Sequence, residues 1–317
     1  MKRKIGFAAA VLCLLAAVLC LAAGGREDGK NTADSGVRQV TDSTGRQVEV
    51  PVHPERVVIL NASNVDLYVA AGGGASIVGK ASSQAYSPEV QEATAGASEV
   101  GIIHSPSLET IVSLKPDLVI GTNVPFHQGL IPTLEKAGIP LYINELNSFE
   151  DIFATLELFG KWTGKEETAG ERIKAMQEEQ EALVQSADGS TPPRSLVIFG
   201  SPDSFSMATG RTFAGSLISQ LGGGNIADTL ENDSAYIPLG MEYLATENPE
   251  VIFIIMMGNP QQMEEKIHKD LESSPAWAET SAVKNGRVHI LPYNLFTVNP
   301  GVQAVDAMNL IYNYMYP

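Results

Sequence analysis

Apolar residues come in short, closely spaced runs along most of this chain. Those at 56–60 (RVVIL), 117–120 (DLVI), 139–143 (IPLYI), 195–199 (SLVIF) and 251–255 (VIFII) have the length and β-branched content of buried strands. A shorter run follows at 77–78. Helical stretches at 64–71, 108–114 and 129–137 alternate with the first strands, and glycines at 72–74 and at Gly138 stop two of these helices. Strands alternating with helices predict parallel βα units. Upstream, 40–52 (VTDSTGRQVEVPV) alternates about Ser43, Thr44 and Gly45 as a hairpin would. The stretch 149–185 reads as mostly helical, broken near Thr163 and Gly164. Its second part, 165–185, is rich in good helix formers and without proline. At 1.5 Å per residue it extends for roughly 30 Å. The turn cluster 188–193 (DGSTPP) ends it, and the strand pattern restarts.

The second half repeats the first. Glu109 precedes Pro116 by seven residues, with the strand 117–120 at once behind it, and Glu242 precedes Pro249 and the strand 251–255 in the same way. The strand 56–60 pairs with 195–199, and the glycines 72–74 with 222–224. Matches in the same order predict duplication. The expected fold is α/β, with two similar Rossmann-like lobes joined by one long rigid helix, which implies a largely preformed cleft and little lobe motion. The boundaries read 1–24 signal, 25–38 tether, 39–147 first lobe, 148–187 linking helices and 188–317 second lobe.

The N-terminus sets the compartment. Lys2, Arg3 and Lys4 precede an uncharged, apolar run over 5–23, which is followed by small residues and then the polar stretch 26–35. That is the layout of a secretory signal; an uncleaved anchor helix is the rival, since the run approaches the roughly 20 residues needed to span a bilayer. Cys13 and Cys20 both fall here, so the exported part has no disulfide. Cys20, closing the apolar run, resembles a bacterial lipoprotein site whose thiol is lipidated, although Leu19 stands where a small residue is usual. Ordinary cleavage near 22–24 is the alternative. Without the signal, 18 Lys and Arg face 37 Asp and Glu, so the net charge of −16 becomes −19. Such a surface repels polyanions and argues against nucleic acid.

Taken in order, several short motifs resemble one family. They are Val40, Thr41, Asp42 and Gly45; 54–58 (PERVV); Val100 and Gly101 before Pro106, Leu108 and Glu109; 114–120 (LKPDLVI); 137–140 (AGIP); 222–225 (GGGN); and 283–288 (VKNGRV). This order closely resembles the substrate-binding proteins of bacterial importers for iron–siderophore complexes, haem and cobalamin, from about residue 40 to the C-terminus. The resemblance implies two lobes with the ligand between them, a location in the periplasm or on the outer face of the cytoplasmic membrane, and no resident cofactor. It also implies an ABC permease dimer with its ATPase as partner, docked through one acidic residue per lobe, which here are Glu109 and Glu242. A glutamate in a first helical turn also favours the helix dipole with no partner at all.

Ligands of open parallel sheets sit beyond the carboxyl ends of the strands. The loops there nominate Asn61, Tyr86, His104, Asn123, Phe126, His127, Phe205, Arg211, Tyr236, Met257, Tyr293 and Phe296. A mainly aromatic, amide and hydroxyl set suits a bulky chelate. His104 and His127 are read as cleft lining, with ligation of iron or cobalt as the alternative, and no metal-ligand set is assigned. Where haem binders of the family often carry a tyrosine after the Val-Gly motif, this chain has Ile102, and Arg211 is the one arginine in the set. The preferred cargo is a ferric siderophore, ahead of a corrinoid or haem. The chain is not read as an enzyme, since it lacks the His-Glu-x-x-His, Gly-x-Ser-x-Gly and phosphate-loop signatures. A metal chelatase is the enzymatic rival, and a sensory or adhesion protein is the non-transport one.

Overall fold

The strands gather into two main sheets. In the computed structural model, which describes residues 36–201, 203–230, 233–257, 260–296 and 301–317, the first sheet is wholly parallel. Its order is Ser98–Glu99, Ile77–Lys80, Val57–Ile59, Leu118–Thr122, Leu141–Asn144. The expectations for the signal, Cys20 and most of the tether lie outside the described residues. Val57, Val58, Ile59, Val119 and Ile120 are fully buried, as expected for a sheet covered on both faces.

The second sheet runs Tyr236–Pro238, Phe205–Ala208, Arg194–Gly200, Val251–Met256, Val288–Ile290, with Gly224–Asn225 paired to the start of Arg194–Gly200. Here the expectation of parallel units needs correction, because Phe205–Ala208 and Tyr236–Pro238 pair antiparallel. The cause is local. Ser204 and Ser201 close a tight turn through Ser201 N–H to Ser204 O, at 2.9 Å, and so short a connection returns the chain antiparallel, whereas a parallel neighbour needs a crossover.

The duplicated motif folds twice into the same device. The helices Leu108–Ser113 and Met241–Glu247 are each followed by a left-handed residue, Lys115 (φ 48°) and Asn248 (φ 45°), and then by proline. The next residue is acidic in both. The Asp117 carboxylate accepts from the amides of Glu55 and Arg56, and that of Glu250 from the amide of Arg194. Each carboxylate thereby pins the start of the neighbouring central strand.

Between the sheets the chain forms two helices, Phe149–Thr163 and Glu166–Ala187. They are joined where Gly164, at φ 65°, caps the first in the left-handed conformation that glycine adopts without strain. The second helix has no proline, but the rod picture passes over Gly170 in its early turns. Its rigidity comes from packing instead. One apolar cluster includes Val57, Ile59 and Leu118 of the first sheet, Phe149, Phe159, Trp162 and Met176 of the linking helices, and Val197, Phe253 and Met308 of the second half.

Candidate functional site

The carboxyl ends of both sheets face a common cavity of about 280 Å³. The first half supplies Asn61, Thr122, Asn123, Glu145 and Asn147, which end strands or follow them within three residues, together with the apolar Ile103, Val124 and Leu146. The second half supplies Phe199, Ala208, Phe213, Ala214, Tyr236, Ile255 and Phe296. One wall is therefore mostly amide, hydroxyl and carboxylate, and the other mostly aromatic and aliphatic. A second cavity of about 440 Å³ adjoins it through the shared residues Asn61 and Ile103, and runs past Ser82, Gln84, Ile102, His104 and Asn294. Sizes in this range suit a small-molecule ligand.

Buried hydrogen bonds hold the polar wall in place. Asn64 Nδ2 donates to Asn61 Oδ1 at 2.8 Å, and Asn144 Nδ2 donates to Asn64 Oδ1 at 2.7 Å and to Thr155 Oγ1 at 3.2 Å. Glu145 is held from two sides: its backbone N–H donates to Ser43 Oγ at 2.8 Å, and its Oε2 accepts from Asn123 Nδ2 at 3.0 Å. Asn123 Oδ1 in turn accepts from Gln128. The hairpin Val37–Thr41 and Gln47–Pro51 brings Ser43 there, because Ser43 N–H donates to Ile143 O and Arg46 Nη2 to Leu141 O. Across the cavity Tyr236 packs on Phe199 with ring centroids 5.2 Å apart. Its hydroxyl is raised above the ordinary tyrosine range by burial and by the charge of Glu145.

Of the nominated residues, Asn61, Asn123, Tyr236 and Phe296 line the first cavity and His104 the second. Phe126 lies outside both linings, half exposed, edge-on to His104 at 5.4 Å. The Tyr293 side chain is outside the described set. The remaining five are elsewhere. His127 is fully buried: its Nδ1 accepts the Thr122 N–H at 2.9 Å, while Nε2, on the side of the Ile103 carbonyl, completes no hydrogen bond. Burial lowers its pKa to about 4, so it is a neutral post behind the cleft. Tyr86 is a core residue whose hydroxyl donates to Ala81 O at 2.6 Å. Phe205 faces Lys266, whose ammonium sits 5.1 Å from the ring centre. Arg211 is spent on Asp233 at 2.7 Å on the surface. Met257 lies in neither lining, and its amide donates to Gly200 O.

Glu145, Leu146 and Asn147 were missed, although they follow a predicted strand and the same strand-end rule selects them. Phe213 and Ala214 carry no such signal, since they begin a helix. Glu109 and Glu242 are both exposed in first helical turns, and neither makes an ion pair among the described residues. Also among the described residues, no group of three or more His, Cys, Asp or Glu is placed to hold a metal, and no helix is long and apolar enough to cross a membrane.

Comparison with known proteins adds the family. Over 331 residues the chain is 27% identical to YvrC of Bacillus subtilis, an uncharacterized ABC transporter substrate-binding lipoprotein, with 100% of this chain and 98% of that one covered. It is 24% identical to the high-affinity heme uptake system protein IsdE of Staphylococcus aureus over 219 residues, 69% of this chain and 74% of IsdE. The crystal structure of S. aureus SirA complexed with staphyloferrin B superposes with a TM-score of 0.72 at 22% identity, covering 87% of this chain and 98% of SirA, a likeness of fold. Residues 57–295, most of the chain, match the periplasmic binding protein family, and the chain belongs to it.

Proposed function

We propose that this protein is the extracytoplasmic, lipid-anchored solute-binding component of an ABC importer, and that it delivers an iron chelate of the siderophore type to a permease dimer and its ATPase. The observation that carries this reading is the cavity at the carboxyl ends of both sheets, with a mostly polar wall from one half of the chain and a mostly apolar wall from the other. The printed descriptions of the relatives, an ABC substrate-binding lipoprotein, a heme uptake protein and a siderophore-bound protein, support the same class. Corrinoid or haem delivery to the same kind of importer is the second reading. No catalytic step enters this account.

Delivery is assigned to Glu109 and Glu242, exposed at equivalent positions of equivalent helices, where basic permease residues would make charge-assisted contacts. Tethering is assigned to Cys20. Changing both glutamates to arginine is expected to abolish uptake in cells while leaving the affinity of the purified protein within about threefold, as for rim charges outside the ligand site. Loss of affinity would refute the docking role. The Cys20→Ser variant is expected in the soluble exported fraction, and retention in the membrane would point to an uncleaved anchor.

A further inference from the structure

The lining of the cleft has a charge signature that the fold does not require. Among the described residues lining the two adjoining cavities there is no lysine or arginine, and apart from His104 and the Tyr236 phenol the one ionisable side chain is Glu145. The residues between 202 and 300 outside the described set include no lysine or arginine. Neighbouring cations are engaged elsewhere. Arg211 pairs with Asp233, and Lys80 donates to Thr94 Oγ1 at 2.6 Å and lies over the Tyr86 ring.

Glu145 is built into the site. Its backbone is tied to Ser43, and its Oε2 to the Asn123 amide, which Gln128 fixes from behind. Its Oε1 has no hydrogen-bond partner among the described residues. A carboxylate held beside a cavity without a counter-cation attracts hydrogen-bond donors and positive charge, and repels a carboxylate or catecholate brought into the same space. Partial burial strengthens both effects by limiting solvent screening.

We infer that the ligand is a chelate of neutral or positive net charge that turns amide, hydroxyl or ammonium donors toward Glu145, and that polyanionic chelates are rejected. This rests on the chelate-binding reading above and narrows it. Ferric trihydroxamates fit, because three hydroxamate charges cancel those of the iron, and so does an amide-bearing corrinoid. Ferric polycarboxylates, and haem with its two propionates, do not.

The test is titration calorimetry of the full-length protein with four probes: ferrioxamine B (cationic), cyanocobalamin (neutral), ferric citrate and haemin (both anionic). The expected result is that ferrioxamine B or cyanocobalamin binds on the order of a hundredfold more tightly than either anionic probe. Glu145→Gln is expected to weaken ferrioxamine B by roughly tenfold or more, the loss of one charge-assisted contact, and to narrow the discrimination against the anions. Tighter binding of ferric citrate or haemin by the wild type overturns the inference and leaves the chelate-binding reading standing. Binding of none of the four overturns both. The wild-type ranking decides the matter even if the variant fails to fold.

Discussion

The two walls of the cleft are made from different materials. On the side of the first half, Asn61, Asn123 and Glu145 are polar groups standing on a buried amide network, outside the apolar core. On the side of the second half, Ala208, Phe213, Ala214, Ile255 and Phe296 are themselves members of the core cluster. The second wall is thus a bare face of the core, and it excludes water and contributes apolar area. The first wall holds directional groups, on which the selection among ligands inferred above rests. A change in the second wall should therefore cost stability first, and a change in the first should cost selectivity first.

Phe213→Ala is the severest way to break this contrast. Phe213 is 3% exposed and packs against Phe149 with ring centroids 6.5 Å apart. Its loss is expected to cost about 3–5 kcal/mol in denaturant unfolding. A cost below about 1 kcal/mol would mean that this wall is separable from the core.

Two titrating groups give the next largest effect, with opposite signs. His127, behind the polar wall, has its pKa lowered to about 4 by burial. Above the unfolded value near 6.5 it costs nothing. As pH falls from there toward 4, the unfolded chain takes the proton and the native one does not, so stability drops by about 3 kcal/mol. Asp66 accepts the Val302 N–H at 2.8 Å, a tie between the two halves, and burial raises its pKa to about 6 against the amide and the more distant Arg172. Its contribution is complete below about 4 and is lost as pH rises through 6, again by about 3 kcal/mol. The two nearly cancel between pH 4 and 6.5. Asp66→Asn is therefore expected to stabilise the protein at pH 7 and to reveal a steep acid loss in urea unfolding at stepped pH. His127→Gln should reveal the reverse slope. Parallel pH profiles for the wild type and both variants would sink the assignment.

Asn144→Ala is expected to cost about 1–3 kcal/mol, because Asn64 Oδ1 and Thr155 lose a buried partner. It should also loosen Asn61 and weaken ligand binding, which titration of the folded variant would read. The smallest effect is ligand-induced closure. Because one apolar cluster joins both sheets through the linking helices, the halves are expected to shift by only a few degrees on binding. A closure of roughly 30° in scattering or spin-label distances would show that this shared core is not continuous in solution.

The sequence by itself determined the central strands of both sheets, the hairpin, the helical link and the repeated helix–proline–strand device, because each depends on apolar period and turn chemistry within a few residues. It also nominated Asn61, Asn123, Tyr236 and Phe296, which the structure brings to one cavity, since strand ends are legible from pattern. Tertiary structure alone decided the rest. His127 and Tyr86 occupy loops that look like cleft lining, yet the Thr122 amide and the Ala81 carbonyl draw them inward. Phe205 and Arg211 are claimed by Lys266 and Asp233. Glu145 faces the cavity because Ser43, 102 positions earlier in the chain, and Asn123 hold it there. A loop side chain's direction is set by whichever distant group satisfies its hydrogen bonds, and local pattern contains no record of that partner.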